Sequence, residues 1–433
     1  MESIWLKTAK LPAFQPLAGD KKTDVLIIGG GIAGILTALT MKQAGISCVL
    51  LEVGRILRGT TGHTTAKLTS QHGLIYAKLL RRLGPELAKG YYLANEEAIA
   101  RFDELARDIP CGFERRDSFI YSVDRPDKLE HELEALQKLD IPAELLPCPE
   151  LPMKTAGGLC FHDQAQFHPL ELLAKVSAGL EIFERSRALA YDGESVVTDR
   201  GRIKAEHIVV ATHFPIFNKH GAYFLKLYQS RSYVLALKNA QDVNGMYLDE
   251  AEGGLSFRNH GEYLLLGGGA HRPGKHSAGW AGLEAFAALH YPEAEIAARW
   301  AAQDCMSLDA VPYIGRYGRG PQRLYVATGF NKWGMSSSMA AAGLLTDMVL
   351  GRANPYEELF SPQRGMLSPQ LCVNSMEAAL NRITPTAPRC PHMGCALKWN
   401  RHERSWDCPC HGSRFGPDGT VLDGPANGDM DVK

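Results

Sequence analysis

"VLIIGGGIAG", Val25 to Gly34, is the stretch on which the reading of this chain turns. Its first four residues are apolar and mostly β-branched, which reads as a buried strand, and the glycines that follow stop that strand abruptly. "IAGILTALTMKQAG" then has helical apolar spacing and closes at Gly45, a residue suited to the left-handed position just past a helix. "SCVLLE" supplies a second strand. Together the pieces make a βαβ unit of about 30 residues, where a parallel sheet begins.

Inside that unit Gly29, Gly31 and Gly34 form G-x-G-x-x-G between strand and helix. The first glycine makes the tight turn, the second lets backbone N–H groups approach a pyrophosphate, and the third lets the helix lie on the sheet. Ile32 and Ala33 open the helix, whose N-terminus would face the phosphate. Glu52 ends the second strand 23 residues after Gly29, where a carboxylate accepts hydrogen bonds from ribose hydroxyls and repels a 2′-phosphate. The pattern favours FAD or NAD over NADP. A glycine turn that serves packing alone is the weaker alternative.

The bulk properties agree with a small-molecule enzyme. The 433 residues allow two or three domains, and 45% hydrophobic content suits a sizeable core. Forty-seven Lys and Arg nearly balance 48 Asp and Glu, so charge favours neither nucleic acid nor an acidic membrane as partner. "MESIWLKTAKLPAF" has no apolar signal core, and the apolar run from Val25 to Leu39 is too short to span a bilayer. A cytoplasmic protein without a membrane span is the expectation. Five cysteines are scattered through the first 310 residues, whereas the other five fall between Cys372 and Cys410.

Further along, Tyr76 to Leu139 has the spacing of helical covering structure. "SVVTDRGRIKAEHIVVATHFP" reads as a hairpin followed by a buried strand ending at Ala211, and Tyr228 to Gly269 as an antiparallel sheet. "RLYVATGF" returns to a buried strand, and the helical "SSSMAAAGLLTDMVLG" closes at Gly351. The proline-bearing "RANPYEELFSPQRGMLSPQ" breaks the pattern and reads as a linker.

Past the linker, Cys390 and His392 form C-x-H, Cys408 and His411 form C-x-x-H, and 15 residues separate the two hooks. Paired thiolates and imidazoles on two facing loops suit either zinc or an iron–sulfur cluster, and spacing does not choose between them.

"VLIIGGGIAGILTALTMKQAG…VLLE", "HIVVATHFP", "DAVPYIGR" and "LYVATGFNKWGMSSSMAAAGLL" follow one another in the order seen in FAD-dependent oxidoreductases of the D-amino-acid oxidase and glycine oxidase type. The resemblance spans about residues 22 to 350. It implies FAD, held by Gly29 to Gly34 and Glu52, with Ala211, Thr212, Gly329, Phe330, Gly334 and Met335 against it and the following helix aimed at the flavin ring. It also implies that Thr60, Thr61, Thr64 and Thr65 supply hydroxyls beneath the flavin. His63 in "GTTGH" resembles a loop whose histidine bonds covalently to flavin; a histidine that simply hydrogen-bonds within the loop is the alternative. For catalysis, Arg258, Arg231 and Arg316 are candidate anchors for a substrate carboxylate, and His271 and Lys332 candidate substrate-facing groups. His213 reads equally as a loop histidine.

The tail resembles the Rieske [2Fe–2S] family, with "CPHMGC", "CPCHGS" and "GPA" (Gly424 to Ala426) as its three loops. That resemblance implies Cys390 and Cys408 on one iron, His392 and His411 on the other, and a disulfide between Cys395 and Cys410. Ser413 matches a hydroxyl that raises the potential, whereas Phe415 stands where high-potential members carry tyrosine, so a mid-range potential is expected. Few residues precede Cys390, so the supporting subdomain is cut down and the cluster would depend on docking to the rest of the chain.

The resulting expectation is an α/β protein. A Rossmann-like, glutathione-reductase-type FAD domain (about 20–90, 150–212 and 310–352) carries an antiparallel substrate domain (about 91–149 and 213–309), both within 1–360. A linker (361–371) leads to a shortened all-β Rieske tail (372–433). The expected activity is a dehydrogenase of a small amine, amino acid or related metabolite, passing electrons from flavin to cluster to an external acceptor. Alternatives are an oxidase with a cluster-free tail and a non-catalytic electron-transfer or redox-sensing module.

Overall fold

The computed structural model describes residues 2–217, 220–318, 323–365, 368–385 and 388–431. Three sheets organise them.

The first sheet has eight strands, with Lys21–Ile28 at its centre between Cys48–Leu51 and Arg202–Val210, both parallel to it. Val25 to Ile28 are at most 4% exposed, the continuous burial of a parallel strand covered on both faces. Ile32–Gln43 follows the glycine turn and packs beside Gly334–Val349. The glycines are sterically required here. A Cβ at Gly34 would lie 1.9 Å from the Gly29 carbonyl oxygen, and Gly29 itself has φ +114° with the Ala211 oxygen 2.5 Å from where its Cβ would be. Gly45 (φ +80°) and Gly351 (φ +67°) take the left-handed positions expected just beyond these two helices.

The second sheet has nine strands and forms the substrate-facing unit. Leu227–Lys238 pairs antiparallel with Glu295–Ser307 on one side and Tyr263–His271 on the other. The sheet continues through Ser256–His260, Met246–Asp249, Glu114–Ser122 and Gly157–Gln166 to Lys67–Leu68. Two features depart from the sequence reading. Glu114–Ser122 is a strand inside the stretch read as helical; its last five residues are all buried, and so short an apolar run has no periodicity to separate strand from helix. Gly157–Gln166, read with the nucleotide domain, pairs with that strand in the second sheet. The hairpin and buried strand expected around Ser195 to Val210 are one unit, because Arg202–Val210 turns back on Ser195–Thr198 and then runs on beside Lys21–Ile28.

The tail begins with a helix, Pro369–Ile383, capped by Ser368, whose hydroxyl accepts from the Leu371 N–H. Part of the stretch read as linker is therefore helical, and the tail is not wholly β. Its sheet has four short strands, Lys398–Asn400, Ser405–Asp407, Arg414–Phe415 and Val421–Asp423. Cys390, Leu397, Cys408, Phe415 and Met430 pack into a small separate core.

Candidate functional site

A cavity of about 520 Å³ opens where the glycine turn meets the ends of both large sheets. In its nucleotide half lie Gly29, Gly31, Ile32 and Ala33, with Glu52 and Val53 beside them. Glu52 Oε2 accepts from the Gly30 N–H and Oε1 from the Gly54 N–H, each at 2.7 Å. Burial pushes the Glu52 pKa up while these donors pull it down. Thr61 Oγ1 accepts from Ile32 N at 3.0 Å and so sits at the positive end of the helix. A turn that excludes side chains, a helix N-terminus and a fixed carboxylate together fit a dinucleotide.

The other half is lined by Thr60 and Thr64, Ala211 and Thr212, and by Gly329, Phe330, Lys332, Gly334 and Met335. The Gly329–Lys332 turn is held in an unusual shape: Asn331 and Lys332 have φ +52° and +75°. Asn331 secures it, donating from its backbone N to the Cys305 oxygen (3.0 Å) and accepting from Ser307 N (2.8 Å) through its side chain. Asp304, not anticipated from sequence, is partly exposed, and the cavity it lines is what it is exposed to. Burial raises its carboxyl pKa, while Lys332, His213 and Arg231 pull it down.

Three residues expected at the cofactor do not line the cavity: Gly34, His63 and Thr65. Gly34 acts through packing, as above. The His63 ring nitrogen Nδ1 lies 2.9 Å from the Gly59 oxygen, the contact of a loop histidine. Arg258 and His271 are also outside the cavity. Arg258 is fully buried, donates to the Ala66 oxygen at 2.6 Å, and lies over the Trp5 ring; burial lowers its pKa to about 9. His271 stacks on Tyr233 at 5.6 Å. Arg316 ends the edge strand Tyr313–Arg316 and is exposed. Arg231 makes a bidentate pair with Glu403 of the tail, so it docks the tail instead of gripping a substrate.

In the tail two tight loops face each other. Gly394 N donates to the Cys390 oxygen and Gly412 N to the Cys408 oxygen, both at 2.9 Å. The His392 and His411 rings meet edge to face at 4.9 Å, and burial lowers their pKa values to about 3 and about 4, keeping both imidazoles neutral as metal ligation requires. His411 Nε2 lies 3.1 Å from the Phe224 oxygen, which leaves its buried Nδ1 without a hydrogen bond and available to a metal. Cys390 and Cys408 are within hydrogen-bonding reach of one another, as are Cys395, Cys408 and Cys410. Geometry alone picks Cys395, Cys408 and His411, whose ligand atoms lie within 4.8 Å of one another. All ten cysteines are free thiols, so the expected Cys395–Cys410 bridge is not formed here.

The tail docks on the flavin body through specific contacts. Arg272 donates to the Pro409 oxygen at 2.8 Å and the Cys410 oxygen at 3.2 Å, and Gln303 donates to the Gly412 oxygen at 2.8 Å. Arg414 binds Glu403, Asp407 and Asp423 at 2.9 to 3.1 Å and ties the tail strands to the Arg231 pair. Phe214, a buried residue, lines the cavity and also meets the His392 and His411 rings at 6.0 and 5.9 Å.

Residues 24–348 match the DAO family, FAD dependent oxidoreductase, and the chain belongs to that family. Residues 370–432 match the Rieske [2Fe-2S] domain, so the protein is an FAD-dependent oxidoreductase with a Rieske tail, and FAD and a Rieske [2Fe–2S] cluster are its cofactors. It is 34% identical to YhfW of Bacillus subtilis (strain 168), named as a Rieske 2Fe-2S iron-sulfur protein, across 98% of this chain and 96% of that one. The tail is similar to cytochrome b6-f complex iron-sulfur subunit 3 of Nostoc sp. (strain PCC 7120), 34% identical over 20% of this chain and 53% of that subunit. Among solved structures, glycine oxidase from Geobacillus kaustophilus shares the fold with a TM-score of 0.69 at 18% identity, over 80% of this chain and all of that one. L-Proline dehydrogenase from P. horikoshii does so with 0.66 at 16% identity, over 80% and 98%. Among the described residues no helix is long and apolar enough to cross a membrane.

Proposed function

We propose that the protein is a dehydrogenase of a small amine, amino acid or related metabolite that hands its electrons to the fused cluster and then to an external acceptor. FAD, when bound, supplies two-electron oxidation of a C–N centre, and the cluster supplies one-electron transfer. One observation carries the reading: Phe214 has one side on the flavin cavity and its ring against both cluster histidines. The Phe214 ring thus stands between the cavity and the two histidines.

The remaining work falls to positioning. Asp304 lines the cavity with Lys332 and His213, and its carboxylate suits the ammonium group of a substrate. Lys332, held by the Asn331 turn, meets a substrate carboxylate or the flavin edge. The family likeness to glycine oxidase and proline dehydrogenase supports a nitrogen-bearing substrate without naming it. Cys390, His392, Cys408 and His411 hold the cluster in this reading, and Cys395 pairs with Cys410 once oxidised.

The test is anaerobic mixing of the holoprotein with a panel of small amines and amino acids, watching flavin bleaching and the cluster signal by EPR. Substrate-driven flavin reduction followed by cluster reduction is expected. Rapid peroxide formation in air, unaffected by artificial acceptors and with the cluster still oxidised, would identify an oxidase instead.

A further inference from the structure

One tail segment touches both cofactor sites. Val421, Leu422 and Gly424 to Asn427 form part of the wall of the cavity that lies mainly in the flavin body. Arg187 Nη1 donates to the Asn427 oxygen at 2.7 Å. Arg187 stands between Ser186 and Ala188, which line the same cavity, and Ser186 N donates to the backbone carbonyl oxygen of Glu52 at 2.9 Å. Glu52 is the ribose carboxylate of the glycine-turn motif, so this chain of contacts places Asn427 at the adenosine half. At its other face the segment reaches the cluster box: Ala426 N donates to Ser413 Oγ at 3.1 Å, and the Ser413 hydroxyl is a hydrogen-bond partner of Cys390.

We propose that Val421–Asn427 is part of the FAD site, closing over the adenosine half, so that FAD binding and tail docking form one coupled equilibrium. A ligand that bridges two parts of a chain favours their contact by as much as that contact favours the ligand. The tail has only a small core of its own, and FAD would add to what holds it on the body. The inference rests on FAD lying at the Gly29–Gly34 turn, not on the substrate or the acceptor, so it can fail without the proposed dehydrogenase failing.

Arg231 tests the coupling from a distance. It lies outside the cavity and holds the tail through Glu403, with Asp423 at 3.9 Å. In full-length protein depleted of FAD and titrated with it, Arg231→Gln is expected to weaken FAD binding at least 10-fold, read by flavin fluorescence quenching. An unchanged affinity would overturn the coupling. A second measurement needs no variant: the parent protein is loaded with 8-azido-FAD, photolysed and digested. Label on a peptide covering 421–427 is expected, and label confined to body peptides overturns the proposal.

Discussion

His411 Nε2 meets the carbonyl oxygen of Phe224 at 3.1 Å, across the boundary between tail and body. A carbonyl only accepts, so the imidazole must carry its proton on Nε2 and present a lone pair at Nδ1. Metal-binding histidines are commonly fixed in this way by an outer hydrogen bond. Here the fixing group belongs to the flavin domain. With His411 as a cluster ligand, as proposed, the tail borrows the orientation of that ligand from the surface on which it docks.

The proposed ligand set, Cys390, His392, Cys408 and His411, can be separated from the group that proximity alone selects. Cys390→Ser is expected to bring iron and acid-labile sulfide to background, as is His411→Ala. Cys395→Ser should retain both, because in the proposed arrangement Cys395 is a partner for Cys410 and binds no iron. Iron and sulfide analysis of the three purified variants decides the matter; full loss in Cys395→Ser with retention in Cys390→Ser would reverse the assignment. His411→Ala also removes the donor to the carbonyl of half-buried Phe224, which costs about 0.5–1.5 kcal/mol of stability.

What the sequence showed plainly were the places where function dictates residue type at fixed spacing. The glycine turn was legible because Gly34 admits no Cβ beside Gly29, and the cluster loops because four ligands need fixed chemistry. What it hid depends on partners far along the chain. Arg231 reads as a substrate anchor until Glu403 is found opposite it, and Arg258 as one until its burial against Ala66 and Trp5 is seen. Gly424 to Ala426 was legible as a loop of the tail, but neither its place in the wall of the flavin cavity nor the position of Phe214 against His392 and His411 has a sequence signal, and only the docking of tail on body gives them these roles. Asp304 was hidden because a carboxylate at the end of a strand has no local signature.

Gly412 measures how closely the tail must approach. It has φ +82°, and a Cβ there would lie 2.2 Å from Gln229 Cγ. Gly412→Ala therefore meets both backbone strain and a clash, and should loosen docking by roughly 1–3 kcal/mol. Limited proteolysis near residues 361–371 should become faster by the corresponding factor. An unchanged cleavage rate would mean that the interface yields at no cost.

If Asp304 receives a substrate ammonium, Asp304→Asn removes a charge-assisted hydrogen bond of about 1.5–3 kcal/mol, a 10- to 100-fold loss in kcat/KM. The loss should appear in substrates bearing a primary or secondary amine and not in the FAD content. Steady-state kinetics with an artificial acceptor, alongside the flavin absorbance of the variant, separates the two. Equal loss of flavin would make Asp304 a cofactor residue.

A pH-dependent contribution comes from a surface cluster outside both the cavity and the tail. His162 Nδ1 lies 2.8 Å from Asp117 Oδ2 and Nε2 lies 2.5 Å from Glu144 Oε1. Hydrogen bonds to Glu144 and then Asp117 raise its pKa above the ordinary 6.5. The folded state thus binds the proton more tightly than the unfolded chain, so the pair stabilises fully below pH 6.5 and fades as pH rises through the raised folded value. The His162 side chain is 53% exposed, so the contribution is modest, about 0.2–1 kcal/mol. His162→Gln should therefore lower stability at pH 6 and leave it unchanged well above the folded pKa, measured by denaturant unfolding at both. The opposite trend, a deficit that grows with pH, would mean that the histidine acts in its neutral form.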